Sequence, residues 1–431
     1  MVADDGTQSR QEAGAAASNA LPSDAPWWVR WTRWRQQSVT EGEAWETELL
    51  KRCCKTPMVA SNVRVGPGKH DYIHTVSGGT PGQPPLVMAP GYAAGLGFYW
   101  RQFDALAPHF SLHAIDWLGT GLSGRPAFSA RGREQTEAFF LESLRAWKSK
   151  MGVGKMVLMG HSLGGYLSAC YALKYPEDVE HLILVCPAGV PQVPDDWQTR
   201  FQTMPTSRRM LFKTLMWTWD QGLTPGAVVR TLGPFGPGLC KGYVNSRFNR
   251  GGDGLTADEA AVFHRYFYQI TAAPGSGEYA LRHLLAPGAW AHAPLERRLH
   301  ELSVPVTFVY GEGDWMRPEH AVNLCKRLRE DGAPLCTSDK RVEIIDDAGH
   351  FVFLEQPALF NRSVIDACET VLGRAAARAA AHAMPRAAEQ THTAEMSRWA
   401  YRQGSGVDSG GGGKGAGGDA GAGSEPAASH T

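Results

Sequence analysis

Along the chain, short runs of valine, isoleucine, leucine and methionine alternate with segments whose apolar positions recur three and four residues apart. The first pattern reads as β-strand and the second as amphipathic helix. Strands are expected at Asp71–Val76, Pro85–Ala89, Leu112–Asp116, Met156–Met159, His181–Val185, Val306–Tyr310 and Val342–Ile345. Helices are expected at Glu134–Lys150, Leu163–Lys174, Glu319–Arg329 and Pro357–Leu372. Runs such as Val157-Leu158-Met159 and Leu182-Ile183-Leu184-Val185 show no polar alternation, so both faces of their sheet must be covered. The pattern predicts an α/β fold with a mostly parallel sheet between layers of helices.

One interruption is longer than any crossover helix needs. Between Val185 and Val306 lie Phe201, Trp217, Trp219, Tyr243, Phe248, Phe263 and further aromatics, enough apolar area for a helical cap over the C-terminal edge of the sheet. Some of those rings must form the cap's own core. The ends of the chain differ in composition: residues 1–25 are Ala/Ser/Gln/Asp-rich, and 374–431 pass from Ala/Arg repeats into a glycine-rich tail. Neither buries enough apolar surface to fold. The expected organisation is a first core part over 26–190, a cap over 191–302 and a second core part over 303–373.

Lysine plus arginine and aspartate plus glutamate both number 43, a formal net charge of zero. That argues against bulk capture of nucleic acid. No apolar run is long enough to span a bilayer, and the first twenty residues lack the apolar core of a secretory signal. The eight cysteines are scattered without a C-x-x-C pair, and Cys170, Cys186 and Cys368 read as buried thiols. A reducing, cytoplasmic setting is expected. No H-E-x-x-H or Cys/His spacing suggests a metal.

The chemistry concentrates at Gly160-His161-Ser162-Leu163-Gly164, where a buried strand turns into a helix. A sharp strand–turn–helix corner lifts a serine hydroxyl clear of the sheet, and flanking glycines avoid clashes there. Ser162 is the candidate nucleophile, and the amide of Leu163 can donate to an oxyanion. A serine needs a base, and the base needs a partner that fixes its tautomer. In the order Ser, acid, His, the chain offers Asp314 after the strand Val306–Tyr310 and His350 after Val342–Ile345. Glu312 is the nearest rival acid, with Asp346 and Asp347 behind it. His161 abuts the serine, but its side chain is expected to point away from the attacking face. A second oxyanion amide is expected from Pro90-Gly91-Tyr92, with Tyr92 favoured over Ala93; proline stands there where such loops usually carry histidine. In Asp116-Trp117-Leu118-Gly119-Thr120-Gly121-Leu122-Ser123 the glycines are expected to bend a loop, without direct chemistry.

Near the start, Trp27, Trp28, Trp31 and Trp34 are interleaved with Arg30, Arg33 and Arg35. On a helix Trp27, Trp31 and Trp34 share one face. Indoles favour the water–lipid boundary and arginine meets phosphates, so the segment is expected to anchor the protein at a lipid surface. The alternative is a clasp packed on the body. Cys53-Cys54, among Lys51, Arg52 and Lys55, is a weaker candidate for acylation.

On these residues the chain resembles the α/β-hydrolase-domain 4/5 subfamily. The resemblance rests on Gly160-His161-Ser162-Leu163-Gly164-Gly165-Tyr166, Leu232-Gly233-Pro234-Phe235-Gly236-Pro237-Gly238-Leu239, Tyr310-Gly311-Glu312-Gly313-Asp314-Trp315-Met316 and Gly349-His350-Phe351-Val352-Phe353. It implies an α/β-hydrolase fold and a phospholipase- or lipase-type acyl-ester hydrolase acting on glycerolipids. Acyl transfer to lysophosphatidate, with acyl-CoA as co-substrate, is implied beside it, and no other cofactor. The animal member is a lipid-droplet lipase co-activator with asparagine where this chain has Ser162. That makes a droplet surface, a membrane and a lipase partner further expectations. Family members also carry histidine followed five positions later by aspartate, read as an acyltransferase signature. Here the pair is His350 and Glu355, and Glu355, just before Pro357, is expected to stabilise a helix N-terminus instead.

Overall fold

The computed structural model describes residues 39–193, 201–248, 254–330 and 342–377. Among them an eight-stranded sheet forms from β1 (Val59–Arg64), β2 (Tyr72–Gly79), β3 (Pro85–Ala89), β4 (Ser111–Ile115), β5 (Met156–His161), β6 (Val179–Val185), β9 (Val306–Gly311) and β10 (Val342–Ile345). The order is β1-β2-β4-β3-β5-β6-β9-β10. β2 pairs antiparallel with β1 and β4, and every other pair is parallel. A separate ribbon joins β7 (Leu285–Ala286) to β8 (Trp290–Ala291). β5 is buried at all six positions, as its unbroken apolar run requires.

Helices cover both faces. Their ranges are α1 (Val39–Cys53), α2 (Trp100–Leu106), α3 (Gly132–Met151), α4 (Leu163–Lys174), α5 (Thr206–Asp220), α6 (Pro225–Thr231), α7 (Gly236–Phe248), α8 (Ala257–Ala272), α9 (Pro318–Glu330) and α10 (Pro357–Ala367). Each expected strand and helix is present within a few residues of its expected ends, except that α10 stops at Ala367, Cys368 forms a turn, and helix resumes at Glu369. α1, α2 and β1 were not foreseen. β1 is exposed at five of its six positions, so it carries no strong apolar alternation to read.

Helices α5 to α8 fill the long interval between β6 and β9. α8 starts in a capping box: the Thr256 hydroxyl accepts from Glu259 N, and the Glu259 carboxylate accepts from Thr256 N. The same carboxylate takes Nη2 of Arg101 at 2.7 Å and Nε1 of Trp100 at 3.1 Å, tying α8 to α2 of the core. Arg265 of α8 lies 4.6 Å over the ring of Trp45 in α1. Beneath α1, the Nε2 of His74 lies 2.7 Å from Glu46 and its Nδ1 lies 2.7 Å from Asn62. Burial alone would depress the His74 imidazole, but the adjoining Glu46 carboxylate outweighs it and holds the pKa above the usual value.

Candidate active site

Ser162 occupies the corner between β5 and α4 with φ 53° and ψ −118°, a conformation that costs an ordinary residue about 1–3 kcal/mol. The surroundings impose it. Ser162 N–H donates to Val185 O at 2.9 Å, and its carbonyl accepts from Tyr166 N at 3.2 Å and Ala188 N at 3.0 Å. A Cβ at Gly160 would lie 2.4 Å from Gly164 O, and one at Gly164 would lie 2.3 Å from Pro90 O. The two glycines of the motif are therefore there because backbone meets backbone at the corner.

The loops after β9 and β10 bring Asp314 and His350 to this corner. Ser162 Oγ donates to His350 Nε2 at 3.0 Å, and His350 Nδ1–H donates to Asp314 Oδ1 at 2.9 Å. Asp314 Oδ1 also accepts from Met316 N at 3.1 Å. Both His350 and Asp314 are buried, whereas Glu312, Asp346 and Asp347 are exposed. A hydroxyl bonded to an imidazole whose far nitrogen faces a carboxylate can give up its proton while attacking a carbonyl. Cys186, just past the end of β6, packs with Asp314 and His350 so that its Sγ, a carboxylate oxygen and a ring nitrogen lie within 4.8 Å of one another. Burial, followed by the negative charge of Asp314, raises the Cys186 thiol far above its ordinary value, so it stays protonated there.

His161 is not the partner of the serine hydroxyl. Its side chain is buried against the histidine loop: its Nε2–H donates to the His350 carbonyl at 2.9 Å, and its ring lies 4.8 Å from the His350 ring. Burial holds His161 well below its usual pKa, so it remains neutral and buttresses the histidine loop. Leu163 is the first residue of α4, where N–H groups lack an intrahelical partner. Tyr92 follows Gly91, and a Cβ on Gly91 would lie 2.9 Å from Ser162 Cβ. The residues expected to supply the two amides thus lie beside the serine in the chain or the fold, on separate elements. Pro90, in the usual histidine position, uses its carbonyl to accept from Trp117 Nε1 at 3.0 Å. Asp116 is fully buried and accepts from Leu96 N at 2.6 Å and Leu122 N at 2.7 Å. It pins two loops, and burial pushes its carboxyl up to about 7.

Beside the site is a cavity of about 660 Å³ whose lining includes Tyr92, Phe98, Val228, Leu239, Tyr243, Phe267 and Phe351. It lies between core loops and helices α5 to α8. Its polar end is built from contacts that no local motif signals. The Tyr92 phenol, raised by burial, bonds to Thr224. Thr224 Oγ1 donates to Glu278 Oε1 at 2.7 Å, and Glu278 is ion-paired with Arg230. Glu355 also departs from expectation. It does not serve the N-terminus of α10 but turns back, accepting from Gly349 N at 2.5 Å. Cys53 and Cys54 are half-buried, and burial raises their thiols to about 11 and about 12, which disfavours the reactive thiolate. The tryptophans Trp27, Trp28, Trp31 and Trp34 lie outside the described residues. Among the described residues no helix is long and apolar enough to cross a membrane.

Residues 84–216 match the family model described as the alpha/beta hydrolase fold. A 1-acylglycerol-3-phosphate O-acyltransferase of Arabidopsis thaliana is 38% identical over 367 residues, covering 80% of this chain and 84% of the plant protein. The mouse (Lyso)-N-acylphosphatidylethanolamine lipase is 34% identical over 76% of this chain and 91% of its own length. The human 1-acylglycerol-3-phosphate O-acyltransferase ABHD5 is 31% identical over 78% of this chain and 91% of its own. The chain belongs to the α/β-hydrolase-domain 4/5 family. The fold of this family member also matches a solved bacterial membrane phospholipase A, with TM-score 0.54 and 19% identity over 84% of this chain and 96% of that one. The carboxylesterase CesB of Bacillus subtilis matches with TM-score 0.52 and 18% identity over 76% of this chain and 96% of that one. Within the family, relatives that share this fold act on lipids by name as lipase or acyltransferase.

Proposed function

We propose that this chain is a serine acyl-ester hydrolase of glycerolipids, working through an acyl-enzyme. Ser162 attacks the ester carbonyl, His350 takes the proton and returns it to the leaving alcohol, and Asp314 holds the imidazole. The amides of Leu163 and Tyr92 stabilise the tetrahedral oxyanion. Water resolves the acyl-enzyme in hydrolysis. A lysophosphatidate hydroxyl resolves it in acyl transfer, for which acyl-CoA can serve as donor. The observation that carries this reading is the unbroken Ser162–His350–Asp314 relay, at 3.0 Å and 2.9 Å, beside a mostly apolar cavity large enough for an acyl chain. The plant relative named as an acyltransferase and the mammalian relative named as a lipase support a glycerolipid substrate and leave both acceptors open to this one mechanism.

The surface around the cavity supports a lipid interface as the place of work. Leu223, Val228, Leu239 and Tyr243 line the cavity and are also exposed, so the apolar interior continues onto the outside. Trp217 and Phe235 are exposed on the same insertion, at 63% and 71%, and Arg208, Lys213 and Lys241 of that insertion are exposed as well. Apolar side chains interleaved with cations suit an anionic lipid surface. We assign the insertion, over about 191–302, the role of cap, and the tryptophan segment the role of a second anchor. The test is to incubate the purified protein with phospholipids, triacylglycerol, and lysophosphatidate plus acyl-CoA, alongside Ser162→Ala. Every acyl product should vanish in the variant, by about 10⁶-fold in kcat. Acylated lysophosphatidate formed at undiminished rate by Ser162→Ala would overturn the mechanism.

A further inference from the structure

We propose that Glu355 is a positioning residue for His350 and that Arg247 of the helical insertion holds it in place; the proposal rests on the reading of Ser162 and His350 as the reacting pair. The carboxylate of Glu355 brackets the histidine in the chain. Its Oε2 accepts from Gly349 N at 2.5 Å and its Oε1 accepts from Phe351 N at 3.3 Å, the residues immediately before and after His350. Charge-assisted bonds to backbone N–H groups are roughly twice as strong as neutral ones. Two of them, astride one residue, leave that residue's main chain little freedom. The imidazole then inherits a fixed origin from which to reach Ser162.

The bracket is itself tied to the insertion. Arg247, in the last turn of α7, places Nη1 3.3 Å from Glu355 Oε1, and its guanidinium lies 5.4 Å over the Phe351 ring. Its neighbour Phe248 meets Phe351 edge-on at 5.1 Å. The same helix contributes Leu239, Cys240 and Tyr243 to the cavity wall. One short helix therefore both lines the cavity and secures the loop that carries the base. Glu355 is 9% exposed, with both oxygens engaged by Gly349, Phe351 and Arg247. An oxygen so engaged is not poised to take a proton from an acyl acceptor. The acid five residues after the histidine therefore shapes the histidine and does not act on the acceptor. Aspartate, one methylene shorter, would keep the charge and lose part of this reach.

The experiment compares the full-length wild type with Glu355→Gln, Glu355→Asp, Arg247→Gln and the Glu355→Gln/Arg247→Gln double variant. Four quantities are read: kcat and KM on a short soluble ester, the rate at which a fluorophosphonate labels Ser162, the ratio of acyl transfer to hydrolysis, and the thermal midpoint. In Glu355→Gln, kcat and labelling should fall together, on the order of 10- to 100-fold, with KM nearly unchanged. Glu355→Asp should recover part of the loss. Arg247→Gln should give a smaller loss, and the double variant should be no worse than Glu355→Gln alone. The transfer-to-hydrolysis ratio should stay constant throughout, since both acceptors share the acyl-enzyme. If Glu355→Gln fails to fold, reduced kcat in Arg247→Gln and Glu355→Asp at the wild-type midpoint supports the proposal, and unchanged kcat in both overturns it. A folded Glu355→Gln with wild-type kcat and labelling overturns it, as does selective loss of acyl transfer. A wild type that the fluorophosphonate leaves unlabelled overturns the underlying reading of Ser162, and the proposal with it.

Discussion

Ser162 holds a backbone conformation that an isolated serine would leave, and the glycines flanking it are small for steric reasons. Gly164 has Pro90 O where its Cβ would go. Gly164→Ala should therefore push the Pro90–Tyr92 loop away from the serine and lower kcat, with stability reduced by about 1–3 kcal/mol. Steady-state kinetics and chemical denaturation would check both effects. His74 allows a pH prediction. Its folded-state pKa is raised by Glu46, so the ion pair contributes its full stability below the ordinary histidine value of 6.5 and loses it as pH rises through the higher folded value. His74→Gln should flatten the decline of thermal midpoint on the alkaline side of pH 6.5. A variant whose midpoint tracks wild type across that range would remove His74 from the pH response. At this scale the sequence was legible where a strand end or strand–helix corner fixes a residue's place, as at Ser162, Asp314 and His350, which the fold brings within hydrogen-bond reach. It was silent on Glu46–His74 and Arg247–Glu355, because partners 28 and 108 positions apart leave no local pattern.

Among the strands, those buried almost throughout were the plainest to read. The strands β3, β5, β6 and β9, with helices α3 and α4, announce themselves through apolar runs or helical spacing. β1 is an exposed edge strand, and α1 has polar residues on most of its surface, so neither pattern rises above its surroundings. Glu355 was misread for a related reason: its place before Pro357 fits a helix start, but tertiary contacts to Gly349 and Phe351 claim its carboxylate instead. The insertion was recognisable as helical from its aromatics, yet their division between core and surface was not. Phe248, Phe263 and Tyr266 are buried, whereas Trp217 and Phe235 face outward. The entry of α8 carries a prediction of its own. Thr256→Ala removes the capping-box acceptor and should cost about 1 kcal/mol, seen as faster amide exchange in the first turn of Ala257–Ala272. Unaltered exchange there would show that the tie from Glu259 to Arg101 suffices.

For the molecule as a whole, zero formal net charge coexists with large apolar side chains exposed on the insertion, Trp217 and Phe235 among them. The two lipid-facing candidates, the tryptophan segment and the insertion, are separable. Replacing Trp217 and Phe235 by serine should weaken sedimentation with anionic vesicles and slow attack on vesicle-borne lipid, while hydrolysis of a soluble short-chain ester stays at wild-type rate. Unchanged binding would assign the interface elsewhere, and deletion of Trp27–Trp34 would then be the informative comparison.

The central claim is that Ser162 becomes covalently acylated in turnover. Rapid quenching of the protein with an excess of a short-chain ester, followed by peptide mass spectrometry, reads this directly. An acyl adduct on the peptide bearing Ser162, forming at least as fast as product and absent from Ser162→Ala, is the expected result. Full turnover without any adduct, or turnover that persists in Ser162→Ala, would contradict it.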